Sequence, residues 1–441
     1  MRKPVLNIKN LKVAYSRVDT NTNKLFDRFI HRSHHTDLIL KSINLSVYEG
    51  EILGLVGESG CGKSVTVKSI FGMVNFFPGI ISGEIEYFDS EGDKVSLLSH
   101  LDEENGDESE LTSGTINYRE FKHFIGNNSK PATPPESQWS YTTDLQFQNV
   151  SNDLAINSDH MFRVYNRKHI LKNNLSGIIE NNFKKYRNAG KILAGKEISI
   201  ILQDPLTFLN PSWSIKSQIK NLHDLFSFGE KKSKIKGVDD IVKWQVTKKI
   251  LKDLRIDTDE FLNKIPSELS GGQAQRVMIV LSRMSNPELL IADEPTTGLD
   301  VTLKKRVVDF FRERKKPMIF ISHDLNMVRM VSDRINIMYN GEIVENCDSD
   351  RFLPGFSHHP FTEKLISVYY TDYEEFIEEE LPTKTELKTY NGCAFALQGC
   401  PYVKDICKSI TPPAIDMKTK QIIDDNETEH QWVKCWEYLN E

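Results

Sequence analysis

Apolar residues recur along the chain in two rhythms. Leu6, Ile8, Leu11, Val13 and Tyr15, and again Ile39, Leu40, Ile43, Leu45 and Val47, fall in short stretches that predict two strands of a small sheet. Residues 16–37 between them, rich in Asn, Arg and His, predict a long hairpin connection, and its His-Arg-Ser-His-His run reads as a solvated loop before a metal site. A continuous apolar run at 52–56 ends in Gly57 and gives way to helical spacing from Lys63 to Met73, which predicts strand, glycine loop and helix. Further strands are predicted at 198–202, 289–292 and 318–321. Helices are predicted around the stripe Val242, Val246, Ile250 and Leu254, and over 301–313. Residues 335–339, Asn340-Gly341 and 342–344 predict a closing strand, turn and strand. Strands alternating with helices define an α/β fold around a parallel sheet.

Two regions break this rhythm. From about 90 to 194 the chain is polar, with an acidic DEENGDESE run, a PATPPES run and Asn-rich stretches, and it reads as an insertion in which NYREFKHFI and SGIIENNFKKY are each able to form one helix. After Leu365 an acidic EEFIEEELPT run reads as a linker to a small cysteine-bearing extension, so the expected division is 1–365 and 366–441, with a helical part at about 205–285. Lys and Arg total 56 against 62 Asp and Glu, a net charge of -6, so no global positive field draws the chain to nucleic acid. No apolar window is long enough to cross a bilayer and the N-terminus has no secretory pattern, so the chain reads as neither spanning nor secreted. Six cysteines in 441 residues suit a reducing compartment better than a disulfide scaffold, yet four of them crowd into 393–435.

The sharpest chemical signal is Gly57, Glu58, Ser59, Gly60, Cys61, Gly62, Lys63 and Ser64, a G-x-x-x-x-G-K-S string placed after a strand and opening a helix. Glycines let backbone N–H groups wrap phosphates and the helix N-terminus adds its positive end. Lys63 suits the β- and γ-phosphates, Ser64 suits Mg²⁺, and Cys61 fills a small-residue slot. Asp293 and Glu294 follow the apolar strand at 289–292, at the strand end where ligands of open α/β sheets bind. Asp293 suits the magnesium shell and Glu294 suits orienting or deprotonating a water. Ser270, Gly271, Gly272 and Gln273 form a Leu-Ser-Gly-Gly-Gln turn ahead of a helix, which taken alone is a helix cap.

Together, the phosphate loop, Gln203 after a strand, the Leu-Ser-Gly-Gly-Gln turn, the Leu-Leu-Ile-Ala-Asp-Glu strand and His323 resemble, in order and spacing, the ATP-binding cassette (ABC) ATPases over residues 1 to about 365 outside the insertion. That resemblance implies a RecA-like parallel core, an antiparallel β subdomain and a helical signature subdomain. It implies that Gln203 senses the γ-phosphate and Mg²⁺, that His323 meets the γ-phosphate from the other side, and that Tyr15 stacks on adenine. It also implies that Ser270 and Gly272, with Asp300 near the seam, close over the ATP of a partner cassette in a head-to-tail dimer.

The strings GLVGESGCGKS, PGIISGEIEYF, ILQDPLTFLNPSWSI, IADEPTTGLDVT and HHPFT are similar to the oligopeptide and dipeptide permease ATPases of the D type. The resemblance implies an F-type ATPase partner, two membrane-spanning permease subunits and an external peptide-binding protein, with this chain peripheral on the cytoplasmic face and residues 204–218 touching the permease. It further implies that Cys393, Cys400, Cys407 and Cys435 hold a 4Fe–4S cluster. Six residues separate the first two cysteines where the family pattern has five, and Gly399 stands where that pattern has Arg; zinc and free thiols are the alternatives. A soluble cassette acting on ribosomes or DNA, or a permease ATPase for another solute such as a dipeptide or nickel, remains the alternative function.

Overall fold

The computed structural model describes residues 2–18, 34–74, 78–89, 92–98, 195, 197–227, 238–284, 286–370, 392–425 and 431–439. The two predicted insertion helices and His430 lie outside these residues.

Strands β1 (Pro4–Val18) and β2 (His34–Tyr48) pair antiparallel from Pro4 with Tyr48 to Val18 with His34. The ladder thus runs through both ends of the stretch whose polarity predicts a loop. Ladder hydrogen bonds use only the main chain, so a polar strand end is invisible to hydrophobic patterning. β4 (Pro78–Phe88) pairs with the other edge of β1, and β5 (Lys94–Leu98) pairs with β4. Lys94–Leu98, which the polar run assigns to the insertion, is therefore a strand of this sheet.

The second sheet is the parallel one that the alternation predicts. β3 (Ile52–Gly57) lies between β9 (Arg334–Tyr339) and β8 (Met318–Ile321), followed outward by β7 (Leu289–Asp293) and β6 (Ile198–Ile201), all parallel. β10 (Glu342–Asp348) returns antiparallel to β9 and bridges to β2 at Glu342 and Ser42. These central strands read as unbroken apolar runs because both faces are covered. Ile52 and Val56 of β3 pack into one core while Leu53 and Leu55 pack into the other, and β7 and β8 divide in the same way.

One core holds Val67 and Ile70 of α1 (Lys63–Ile70) between the two sheets. The other is covered by α2 (Ile215–Ser227), α3 (Val238–Asp253), α4 (Asp259–Asn263), α5 (Gly271–Met284), α6 (Val301–Glu313), α7 (Leu325–Val331) and α8 (Pro360–Tyr370). Ile250 and Leu254 of the predicted stripe are buried there, and the side chains of Val242 and Val246 lie outside the described set. α8 crosses the expected division at 365–366, and the acidic EEFIEEELPT run read as a linker lies outside the described residues. The C-terminal extension adds β11 (Ala414–Asp416), β12 (Ile422–Ile423) and β13 (Trp432–Val433), and β13 joins the edge of β10 through Glu345 with Val433.

Candidate nucleotide-binding site

Four parallel strands deliver their C-terminal ends to one edge of the sheet. β3 feeds the phosphate loop, β7 ends in Asp293 and Glu294, β8 leads into His323, and β6 leads into Gln203 two residues past the pair Ile201 and Ala292. Parallel register alone thus gathers residues separated by more than two hundred positions.

The loop conformation depends on glycine at two points. Gly62, the residue before α1, has φ 116, and a methyl group there would stand 2.5 Å from Leu40 Cδ2. A methyl group on Gly57 would collide with the Met338 carbonyl oxygen and stand 2.8 Å from Cys61 Sγ. Lys63 Nζ donates to the carbonyls of Gly57 and Glu58, each at 2.8 Å, and lies 3.7 Å from Cys61 Sγ. Burial raises the Cys61 pKa more than the neighbouring Lys63 lowers it, so the sulfur stays a thiol. The turn between β9 and β10 backs the loop, with Gly341 N–H donating to the Cys61 carbonyl at 3.0 Å. The sequence gives no hint of this buttress, because nothing in an Asn-Gly turn specifies what lies behind it.

Asp293 is buried and hydrogen-bonded to Ser64. Burial and the charge of Glu294 raise its pKa, against Ser64, Lys63 and Lys68, and a divalent cation beside it would reverse that balance. Glu294 is buried with φ 52, a left-handed backbone unusual for a non-glycine residue. Its N–H donates to Ile321 O at 2.9 Å. Its carboxylate accepts from His323 N–H at 2.9 Å and from the Ser322 hydroxyl at 3.3 Å, and lies 2.9 Å from His323 Nδ1. Gln275 Nε2 donates to the Glu294 carbonyl at 3.5 Å, a link from α5 that no motif announces.

Ser270 and Gln273 sit elsewhere. Ser270 N–H donates to Gln273 Oε1 at 2.9 Å and Gln273 N–H donates to Ser270 Oγ at 3.3 Å, a reciprocal cap on α5. Gly271 has open space around it, and a methyl group on Gly272 would meet Gly298 O at 2.5 Å, so this turn abuts the Thr-Thr-Gly-Leu-Asp loop. Asp300 at the end of that loop caps α6 through Leu303 N–H at 2.9 Å. No hydrogen bond among the described residues joins Ser270–Gln273 to the phosphate loop. Tyr15 is half-exposed on β1, two residues beyond Val13, whose partner Leu40 touches Gly62.

The extension gathers its four cysteines. Cys393 N–H donates to Cys407 O at 2.8 Å, and Cys435 lies within electrostatic reach of Cys393, Cys400 and Cys407. Lys404 N–H donates to Cys407 Sγ at 3.4 Å, Ala396 N–H donates to the Cys393 carbonyl at 2.9 Å, and the backbone N–H groups of Tyr402 and Glu437 work against the upward shifts of Cys400 and Cys435. Burial, and after it the neighbouring thiols, push Cys393 up to about 11 and Cys435 up to about 12. The extra residue between Cys393 and Cys400 is taken up by a 3₁₀ turn, Ala394–Gln398, closed by Gly399 at φ 77, a conformation that favours glycine over Arg.

A sheet whose parallel edge carries a phosphate cradle, two acids and a histidine, with a capped Ser-Gly-Gly turn set apart, defines a nucleoside-triphosphatase cassette. The model of the ABC transporter family matches residues 40–177 and 168–297, more than half of the chain, and the chain belongs to that family. It is an ABC-type ATPase. It is 37% identical over 350 residues to the oligopeptide transport ATP-binding protein OppD of Bacillus subtilis, a match covering 78% of this chain and 69% of the relative. To the dipeptide transport ATP-binding protein DppD of Haemophilus influenzae it is 27% identical over 409 residues, covering 90% of this chain and 89% of the relative. Among the described residues no helix is long and apolar enough to cross a membrane.

Proposed function

We propose that this chain is the ATP-hydrolysing subunit of a peptide importer, working as one half of a head-to-tail pair of cassettes. The observation that carries the reading is the split arrangement. The phosphate loop, Asp293 bonded to Ser64, and Glu294 bonded to His323 share one sheet edge, while Ser270 and Gln273 bond to each other and not to their own loop. A chain arranged in this way supplies the cradle and the acids to one ATP and the Ser-Gly-Gly turn to a neighbour's.

In this reading residues 57–64 wrap the triphosphate and Tyr15 stacks on the adenine. Ser64, Gln203 and Asp293 would hold Mg²⁺, which when bound offsets charge on the transferring phosphoryl group. Glu294 orients the attacking water and accepts its proton, with His323 steering the carboxylate and reaching the γ-phosphate. Ser270, Gly271, Gly272, Gln273 and Asp300 line the partner's site.

The identity to the Bacillus subtilis protein, whose name states oligopeptide transport, supports peptides as cargo; two membrane permease subunits, an F-type ATPase partner and an external binding protein are what the motif resemblance implies for such a subunit. The chain would then be peripheral on the cytoplasmic face of the membrane. Leu206, Phe208 and Trp213, exposed after Gln203, support a permease contact at residues 204–218. The cassette would come first and the extension after it, with α8, which crosses 365–366, packed on the cassette through Phe361 and Ile366.

Cys393, Cys400, Cys407 and Cys435 would hold a 4Fe–4S cluster, which supplies a cross-link among four loop segments. The donor chemistry supports it: four thiols on neighbouring loop segments, two of them buried and two half-buried, with burial first and the neighbouring thiols after it raising the pKa of Cys393, Cys400 and Cys435, are suited to a cationic centre. Among the described residues, three ligand atoms come within 4.8 Å of one another at Glu345, Cys347 and His358, and not within this set. That spacing is wider than the edge of about 3.8 Å set by zinc–sulfur bonds in a tetrahedral site.

Sedimentation of the Glu294→Gln chain with its partner ATPase tests the central reading. An ATP-dependent dimer is expected, and persistent monomers at saturating ATP would sink it. Iron and acid-labile sulfide assays on anaerobically purified protein test the cluster, which a folded, metal-free extension would exclude.

A further inference from the structure

Glu345, Cys347 and His358 form a buried group that the nucleotide site does not use. Glu345 and Cys347 are alternate residues of β10 and so share one face of the strand, and His358 closes on them from the segment before α8. A carboxylate oxygen, the Cys347 sulfur and an imidazole nitrogen all lie within 4.8 Å of one another there, and all three residues are buried. Thiolate, imidazole and carboxylate are the donors of Zn²⁺ sites, and the first two set the group apart from the all-oxygen sites that Mg²⁺ and Ca²⁺ prefer.

The partners that would orient these donors are in place as well. His358 Nδ1 lies 2.6 Å from Glu345 Oε1, and His358 Nε2 donates to the Leu353 carbonyl at 3.3 Å. Glu345 Oε2 accepts from His359 N–H at 2.8 Å. A histidine whose far nitrogen is bonded to a carbonyl turns its near nitrogen to the ion, and a carboxylate held by a backbone N–H offers its other oxygen; metal ligands are oriented in this way. A buried pair of Glu345 and His358 is complete without a sulfur beside it, and the sulfur supplies the third donor.

We propose that Glu345, Cys347 and His358 form a zinc site that ties β10 to the start of α8 beneath the docked extension. Without zinc, carboxylate, imidazolium and thiol sum to zero charge, and the Nδ1 proton of His358 lies between two of the atoms that zinc would hold. Binding releases that proton and the Cys347 thiol proton to solvent. Carboxylate, neutral imidazole, thiolate and Zn²⁺ again sum to zero, so a buried place gains no net charge. Zinc bonds of about 2.0–2.3 Å set donor separations of about 3.3–3.6 Å, so Nδ1 and Oε1 part by about 0.7 Å, and three protein donors leave the fourth position to a water. β13 pairs with β10 at Glu345, and Tyr438 Oη donates to the His358 carbonyl at 2.8 Å, so both segments that bear the ligands also carry the extension. The site shares no residue with Cys393, Cys400, Cys407 and Cys435 and does not depend on what they hold.

The test is zinc content per chain. The full chain, Cys347→Ser and His358→Gln are purified without oxygen and equilibrated with the same zinc buffer, and the bound metal is counted by mass spectrometry. Whatever the extension cysteines bind is common to all three chains and cancels in the difference. Each variant is expected to hold about one zinc ion fewer than the unaltered chain, while its melting curve without added zinc shows that it is folded. Cadmium NMR of the unaltered chain gives an answer that needs no variant: a resonance for one sulfur with nitrogen and oxygen ligands is expected, apart from any four-sulfur signal. Equal zinc content in all three chains, or the lack of that resonance, would overturn the site. A loss confined to one of the two variants would remove the other residue from the ligand set and overturn the site as proposed. Where a variant loses zinc because it does not fold, the cadmium spectrum decides alone.

Discussion

At the scale of single residues the site is a set of side chains held by more bonds than their chemistry alone requires. Glu294 illustrates this: its left-handed backbone, the Ile321 carbonyl, and donors from His323 and Ser322 leave it one orientation. Glu294→Gln keeps the shape and one carbonyl acceptor but removes the base. ATP turnover in the assembled complex is expected to fall about 10²- to 10⁴-fold with nucleotide binding retained. A steady-state phosphate-release assay run beside ATP binding checks this, and an unchanged turnover would remove Glu294 from the mechanism. Gly62 is constrained differently, by space and by φ 116. Gly62→Ala must move Leu40 and strain the backbone, an overpacking cost of about 1–3 kcal/mol. It is expected to lower the urea midpoint and ATP affinity together, since the same atoms shape both.

At the scale of elements, helix starts serve as both structure and site. Asp300 Oδ1 accepts from Leu303 N–H at the start of α6, and Asp324 does the same for Met327 N–H on α7 while pairing with Lys304. Asp300→Ala is expected to cost about 1 kcal/mol in chemical denaturation, the usual worth of an N-cap, whereas Asp300→Asn keeps the cap and stays within about 0.5 kcal/mol. An Asp300→Asn chain that is stable yet fails to dimerise with ATP would separate the cap from the intersubunit role. Elements of this kind were legible in the sequence, since β3, β7, β8 and α6 carry continuous apolar runs or a clear stripe bounded by Gly, Asp or Pro. The strand ends at residues 16–18 and 34–37, and the whole of β5, were not legible, because edge ladders tolerate polar side chains. The site residues on the sheet edge were legible as motifs, but Gln275 and the β9–β10 turn behind the loop were not. Each of these touches the site only through tertiary packing, which no local spacing encodes.

At the scale of the whole molecule, the extension is docked to the cassette at a buried, titratable seam. β13 lies on β10, Lys434 N–H donates to Val344 O at 2.8 Å, and Tyr438 Oη donates to His358 O at 2.8 Å. Two adjacent histidines at this seam are shifted in opposite directions. Burial holds His359 down at about 4, and its Nδ1 accepts from Phe361 N–H at 3.1 Å, as only an unprotonated Nδ1 can. For His358 burial also pulls downward, but Glu345, 2.6 Å away, outweighs it and the net shift is upward. Between about pH 6.5 and 4 the unfolded chain takes up a proton that folded His359 refuses, so stability falls on acidification by up to about 3 kcal/mol. The contribution of His358 is complete below its ordinary value of 6.5 and is lost as the pH rises through its raised value. These two residues therefore impose slopes of opposite sign that meet near pH 6.5. Urea midpoints across pH 4 to 9 are expected to show a flattened acid limb in His359→Asn, whose Oδ1 can replace the Nδ1 acceptor, and a flattened alkaline limb in His358→Gln. Limbs that survive both substitutions would place the pH sensitivity away from this seam. Because Glu345 binds His358 and also pairs with Val433 across the β10–β13 ladder, loss of the His358 proton loosens the contact that carries the extension to the cassette. The alkaline limb of His358 should therefore appear first in hydrogen exchange of β13 and only afterwards in the parallel sheet.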